Sequence, residues 1–278
     1  MSDDTQRAFA LVGPGRAGTT LALAMVARGW TPVAVAGKAV DSPSVLRAAA
    51  LLDAPAREVA VAATDADLVL IATPDAAIAE VASAVATGLR VGALVIHCSG
   101  VCTLDELDKL RVARPDVEVG SLHPLLSLPS PEIGVARLPG SWCAVDGPDD
   151  VERLAVSLGM RPFRVQDADR VAYHAAATVA SNHLVALLGQ AARLADAAGV
   201  PAAALLPLVR ATLENVETLG AQAALTGPVA RGDVDTVRRH LDVLDDDEQP
   251  AYRALAEAAR RLSGRDDPAL RHALGGDA

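Results

Sequence analysis

Three groups of residues have types and spacings suited to chemistry. The first is Gly13-Pro14-Gly15-Arg16-Ala17-Gly18, a G-x-G-x-x-G turn that follows the apolar run 8–12 and opens a helical stretch over 16–28. In such a turn the first glycine permits the bend, the second lets backbone approach a pyrophosphate, and the third lets helix and strand pack closely. The helix N-terminus then favours the negative charge. With 21 glycines in 278 residues the bare pattern is a weak signal. Its place between a strand and a helix is what points to a dinucleotide. NAD sites carry Asp or Glu roughly 20 residues past the glycines, whereas this chain has Gly37-Lys38, followed by Ser42 and Ser44. Lysine and hydroxyls suit a 2′-phosphate that a carboxylate would repel. NADP (as NADPH) is the expected cofactor, with Arg16 as a second cation, and nearby Asp41 keeps NAD as the alternative.

The second group lies at the carboxyl ends of expected strands, where open α/β sheets bind ligands. Thr73-Pro74-Asp75 follows the run 68–73, and Ser99-Gly100 follows 93–98. Thr73, Pro74, Ser99 and Gly100 are expected to line the cofactor near its nicotinamide; Asp75 serves equally well as a helix cap. His123, in Gly120-Ser121-Leu122-His123-Pro124, stands where a strand meets a Pro-containing loop on the same edge. Imidazole titrates near neutral pH, so His123 is a candidate for substrate contact or proton transfer. His97 sits inside an apolar strand and reads as a core residue, while His240 and His272 lie in charged helical stretches and read as surface.

The third group lies beyond residue 165. Tyr173, His174, Thr178, Ser181, Asn182 and His183 interrupt an Ala-rich apolar stretch over 167–198. At ~100° per residue His174, Thr178 and Ser181 share one narrow face, with Asn182 at its margin. Buried polar groups need partners, and alanines offer none. This face is therefore expected to meet a ligand-filled cleft or another polar element. Further on, Arg231 is followed by Gly232-Asp233. Its guanidinium can grip a carboxylate with two hydrogen bonds, or it pairs with Asp233. The candidate catalytic set is thus His174, Asn182, His123, Ser99 and Arg231.

These residues need elements to position them. Apolar runs at Ala8–Val12, Thr31–Ala36, Val59–Ala62, 68–73, 93–98, 117–122, 142–145 and 162–165 read as strands. Helices are expected between them at 16–28, 44–52, 76–86, 103–114 and 151–158. Continuous Val/Ile/Leu/Ala strands alternating with helices mean a mostly parallel sheet covered on both faces. Residues 1–165 are expected to form a doubly wound α/β Rossmann domain. Residues 166–278 show no strand signal and are expected to form a smaller all-helical domain, with one long helix over 167–198 and others at 202–225, 234–244 and 250–263. The long helix lacks a polar stripe, which places it in a helical core or a dimer interface.

Composition narrows the partners. A net charge of -10 and 2% aromatic residues argue against nucleic acid. No uninterrupted apolar run reaches the ~18–20 residues of a membrane span, and the acidic start Met1-Ser2-Asp3-Asp4 is unlike a secretory signal. A cytoplasmic protein without membrane contact is expected. Cys98, Cys102 and Cys143 then read as reduced thiols, and no metal site is expected.

Three segments together resemble a known family: V-G-P-G-R-A-G-T at 12–19, G-S-L-H-P-L at 120–125, and Y-H-A-A-A-T-V-A-S-N-H-L at 173–184 with L-T-G-P-V-A-R-G-D at 225–233. They resemble bacterial Rossmann-like proteins with a C-terminal helical domain of long-unassigned function, in the 6-phosphogluconate dehydrogenase-like superfamily. Some members of that family are alternative-type 2-dehydropantoate (ketopantoate) reductases of pantothenate synthesis. The resemblance implies a homodimer and a substrate cleft between sheet and helices. The reaction expected from these residues is hydride transfer from NADPH to a small 2-oxo acid, with Arg231 on the carboxylate, His174 or His123 giving the proton, and Asn182 and Ser99 orienting the carbonyl. Related reductases place a Lys four residues before an Asn on this helix; the stretch 167–198 has no Lys. His123-Pro124 is also similar to a His-Pro pair of prephenate dehydrogenases, and the overall plan is similar to pyrroline-5-carboxylate reductase. A non-catalytic NADP(H)-binding module is the remaining alternative.

Overall fold

The apolar runs pair into one sheet in the computed structural model, which describes residues 7–276. β1 (Ala8–Val12) passes through the glycine turn into α1 (Arg16–Val26), and β2 (Thr31–Ala36) is followed by α2 (Pro43–Leu52). α3 (Val59–Ala62) precedes β3 (Leu68–Ile71), and α4 (Ile78–Val85) precedes β4 (Leu94–His97). α5 (Asp108–Ala113), β5 (Glu118–Pro124), α6 (Pro131–Arg137), β6 (Trp142–Asp146), α7 (Asp149–Ser157) and β7 (Arg161–Arg164) complete the layer. The strand order is β2-β1-β3-β4-β5-β6-β7. The strands from β2 to β5 are parallel, β6 runs antiparallel to β5, and β7 follows β6. This is the expected Rossmann-type α/β sheet, with its topological switch point between β1 and β3.

Alternation along each strand feeds two cores. Phe9, Leu11, Leu68, Leu70, Leu94 and Ile96 face α1, α2 and α7. Ala10, Val12, Val69, Ile71 and Val95 face α3, α4 and α5. Every residue of β3 and β4 is buried, which is why these strands read as unbroken apolar runs.

The structure differs from expectation in four places. Val59–Ala62 is a helical turn rather than a strand. Both sides of β1 are already taken by β2 and β3, and outside β2 the described residues make only the single bridge Val35↔Ala56. The turn buries Ala62 beneath the sheet instead. Pro131–Arg137 forms a helix that its Ser-Pro entry and central Gly134 disguise as loop. Gly134 is what lets α6 lie on α1, because a Cβ there would collide with Thr20. The expected long helix is interrupted: α8 (Arg170–Thr178) and α9 (Leu184–Ala197) are separated by a π-helical turn over Val179–His183. Apolar spacing on either side is that of an α-helix, so no periodicity marks the inserted residue. Finally, the stretch 202–225 is broken at Gly220, whose φ of 79° is outside the helical region.

By packing, the chain divides into Met1–Asn182 and His183–Ala278. The second unit holds α9, α10 (Leu206–Leu219), α11 (Ala221–Ala224), α12 (Pro228–Arg231), α13 (Val234–Val243), α14 (Gln249–Leu262) and α15 (Pro268–Ala273). Its core joins Val229, Val237, Leu241, Ala256, Leu270 and Leu274. α10 contributes no buried residue, although it carries Leu206, Leu208, Leu213, Val216 and Leu219. The helical run Asp167–Ala197 is long and apolar enough, by composition, to cross a membrane, and none of its most apolar stretch is buried within the chain. The start of that run packs its polar side chains onto the sheet, as the site geometry shows.

Candidate active site at the carboxyl edge of the sheet

The glycine turn has the three roles its spacing predicts. Gly13 has φ +89°, and a Cβ there would lie 2.6 Å from the backbone of Ala72 and Thr73. A Cβ on Gly18 would lie 2.7 Å from Ala72 Cβ, so this glycine lets α1 close against β3. Gly15, the N-cap of α1, would place a Cβ with nothing within 4 Å. The open side at Gly15 and the free N–H groups of the first turn form an anion cradle. Arg16 is exposed at the start of that turn, and Pro14 packs against Gly37.

Lys38 is exposed just past β2. Beside it, Ser42 is the N-cap of α2 but makes no capping bond, and its buried Oγ has no partner among the described residues. Thr73 Oγ1, past the end of β3, is likewise buried and unpartnered. Pro74 leads into a short 3₁₀ turn over Asp75–Ala77, and Asp75 caps nothing through its side chain. Leaving a buried hydroxyl unpaired costs about 1–3 kcal/mol. Two such groups on the ligand edge of a Rossmann sheet, flanking an open anion cradle, fit a bound dinucleotide.

Ser99 is tied into its own loop, since its Oγ accepts from the N–H groups of Val101 (3.2 Å) and Cys102 (3.0 Å). Gly100 is pressed against the His123 ring: a Cβ there would come within 2.7–2.9 Å of three ring atoms. Burial pushes the Cys98 thiol up to about 12 and raises Cys102 as well, so both are protonated thiols.

His97 is fully buried in β4, and its Nδ1 accepts from the Ser99 N–H at 3.2 Å. Its Nε2 is buried without a hydrogen-bond partner among the described residues. Burial, helped by the nearby Arg170 charge, lowers its pKa to about 4.

His123 is half-buried at the end of β5, and its Nδ1 lies 2.7 Å from the Tyr173 hydroxyl on α8. Its ring also meets His174 edge-on at 6.0 Å. Burial first, then His174 and Arg170, lower its pKa to about 4, with Asp75 opposing. His123 is therefore a neutral imidazole throughout the physiological range. Tyr173 is packed edge-to-face on Phe163 at 5.7 Å, and Phe163 in turn on Trp142 at 6.1 Å. Burial raises the Tyr173 phenol to about 12.

Arg170, 1% exposed, secures the arrangement from beneath. It donates to Ser121 Oγ (2.9 Å), the Cys102 carbonyl (3.1 Å), Asp146 (3.2 Å) and Asp167 (3.3 Å). Arg170, Tyr173 and His174 recur at i, i+3 and i+4, so one face of α8 meets the face of β5 that carries Ser121 and His123.

The structure brings the expected residues His123 and His174 together at this edge, and adds Arg170 and Tyr173, to which sequence reasoning gave no role. The i, i+3, i+4 spacing of Arg170, Tyr173 and His174 is the signal that would have found them. Thr178 and Ser181 are half-buried and Asn182 is exposed, because the π turn interrupts the regular face that carries His174 and Thr178. Arg231 belongs to the second unit, ending α12, and its side chain is exposed with no ion pair among the described residues. Asp233 instead caps α13 through Thr236.

Fold and site together define a dinucleotide-type Rossmann domain followed by a helical domain. A Rossmann-like domain model matches residues 3–123, and the domain of unknown function DUF2520 matches residues 143–259. The chain thus carries a Rossmann-like domain followed by a DUF2520 domain. None of the curated proteins matches it. Among solved structures it is similar to a candidate NADP oxidoreductase of Bacteroides fragilis, at 25% identity and a TM-score of 0.77, over 94% of this chain and 99% of that one. A Thermotoga maritima protein is similar at 23% identity and a TM-score of 0.67, over 92% and 98% of the two chains. A reductive aminase from Aspergillus terreus, solved with NADPH, shares the fold at 16% identity and a TM-score of 0.57, over 98% and 92%.

Proposed function

We propose that this protein is an NADP(H)-dependent oxidoreductase acting on a small 2-oxo acid, with 2-dehydropantoate as the first substrate to test. One observation carries the class. The glycine turn touches Ala72–Thr73, Ser99–Gly100 follows the next strand, and Gly100 touches His123. Cofactor cradle and imidazole thus lie on one continuous edge across β1, β3, β4 and β5. The Gly13–Gly18 turn would hold the pyrophosphate, Lys38 and Ser42 would hold the 2′-phosphate, and Thr73 Oγ1 would offer the cofactor its unpaired hydroxyl. When bound, NADPH supplies the hydride.

The chain's own residues do the rest. His123, neutral and immobilised by Gly100 and Tyr173, presents a hydrogen-bond donor to the substrate carbonyl oxygen. It stabilises the charge that develops there and yields a proton to it. Ser99 and Asn182 orient the carbonyl, with His174 beside His123. The specific substrate is supported by the motifs at 120–125, 173–184 and 225–233. The protein works as a homodimer in this reading, the second copy covering the apolar side chains that α10 leaves exposed.

Steady-state assay tests the proposal. Purified protein should oxidise NADPH in the presence of 2-dehydropantoate or a close 2-oxo acid. Tight NADPH binding without turnover on any 2-oxo acid would instead favour a non-catalytic dinucleotide module, the reading to which the missing helix lysine lends weight.

A further inference from the structure

We propose that Tyr173 is the positioning residue that holds His123 in its Nε2–H tautomer and replenishes the proton that His123 gives away, an inference that rests on the reductase reading above. The geometry assigns the direction of the hydrogen bond. Tyr173 Oη has one partner among the described residues, His123 Nδ1 at 2.7 Å. A phenol is a better donor than acceptor, and a neutral imidazole has one nitrogen lone pair to offer. The Tyr173 O–H therefore donates to Nδ1, which leaves the ring proton on Nε2. Both rings are fixed: Tyr173 packs on Phe163 at 5.7 Å, and the imidazole is stacked over Gly100, where a Cβ would come within 2.9 Å of Nε2.

The proton count closes. As hydride arrives at the carbonyl carbon, its C=O π pair moves onto oxygen, and that oxygen takes the Nε2 proton. Nδ1 takes the phenol proton, so the imidazole ends neutral with its tautomer exchanged. The tyrosinate left behind takes its proton back from Nδ1 as water protonates Nε2, which restores the phenol and the starting tautomer together. No imidazolium forms, which suits a ring whose neighbours include Arg170 and His174, with Asp75 as the one acid opposing them. Nothing else on α8 can take this part. His174 meets His123 ring to ring at 6.0 Å, with no hydrogen bond between them.

The test combines nitrogen-15 NMR of the histidine rings with kinetics of Tyr173→Phe in the full-length protein. Phe keeps the packing on Phe163, and a thermal melt verifies the fold. Wild type should show His123 Nδ1 as the unprotonated, acceptor-type nitrogen, and Tyr173→Phe should show a mixture of tautomers. With a 2-oxo acid turned over by wild type, the variant should lose about 10²-fold in kcat with KM little changed. Protonated Nδ1 in wild type, or a variant with full kcat, overturns the proposal. If wild type turns over no 2-oxo acid, the reductase reading and the proton relay fall together, and the NMR result still decides whether Tyr173 sets the tautomer.

Discussion

Nη2 of Arg170 donates to Ser121 Oγ at 2.9 Å, two residues before His123 on the same face of β5. The guanidinium also bonds the loop after β4, the end of β6 and Asp167 in the turn that leads into α8, so four segments converge on one buried cation. Arg170→Ala should cost about 2–4 kcal/mol, the lower part of the range for a broken buried pair, because Asp146 and Asp167 keep some access to water. Arg170→Lys should recover little, since a single ammonium cannot span the fork. Urea unfolding at pH 7 measures both. A loss below about 0.5 kcal/mol, the level of an ordinary surface change, would show that Arg170 does not hold the site together.

The three glycines of the turn should separate stability from binding. Gly18→Ala forces a methyl onto Ala72 and should destabilise by about 1–3 kcal/mol. Gly13→Ala adds strain at positive φ and should cost about as much. Gly15→Ala meets open space in the protein, so its Tm should stay within a degree or two while NADPH binding weakens. Thermal melts beside fluorescence titration with NADPH decide this; equal affinity for wild type and Gly15→Ala would remove the pyrophosphate from this turn.

Cofactor choice is read at Lys38. Lys38→Glu should weaken NADPH binding by about 1.5–3 kcal/mol, the worth of a hydrogen bond to a charged group, and leave NADH binding nearly unchanged. Parallel titrations with the two cofactors give the ratio. An unchanged ratio would assign the 2′-phosphate elsewhere.

Acid should unfold the protein through its histidines before its carboxylates. His97 and His123 both have folded-state pKa values near 4, against an ordinary value of 6.5. Between those values the unfolded chain binds protons that the folded chain refuses, so stability falls as pH drops from 6.5 to 4 and is level above. The arginine-paired carboxylates Asp116, Glu248 and Glu257 are held below their usual range and contribute only at lower pH. Melting curves at pH 7.5, 5.5 and 4.5 should show the decline. Titration of His123 by NMR with a midpoint near 6.5 would contradict its burial.

α10 offers the check on assembly. Leu208 is 65% exposed and Leu213 52%, in a helix that buries nothing within its own chain. Leu208→Glu with Leu213→Glu should turn a dimer into a monomer in light scattering, while the core around Val237 and Leu241 is untouched. A wild-type protein already monomeric at micromolar concentration would end the dimer proposal.

Much of the sheet was legible because its signals are local. β1 and β2 occupy the residues their apolar runs marked, and the G-x-G-x-x-G turn needs only the close approach of Gly13 and Gly18 to one neighbouring strand. Val59–Ala62 misled because an alternating V-A-V-A fits a strand only where a free sheet edge exists, and the edges of β1 were filled by segments distant in sequence. α6 hid behind Gly134, whose purpose lies in Thr20 on another helix.

By itself the sequence determined the Rossmann class, the strand ends that carry Thr73, Ser99 and His123, and the absence of an acid beside Lys38, since each of these follows from residues adjacent along the chain. Tertiary structure alone decided that His123 is neutral, that Tyr173 is its partner 50 residues away and that Arg170 is buried among four segments. Burial and hydrogen-bond direction depend on what packs from outside a segment. No spacing within one segment can encode that.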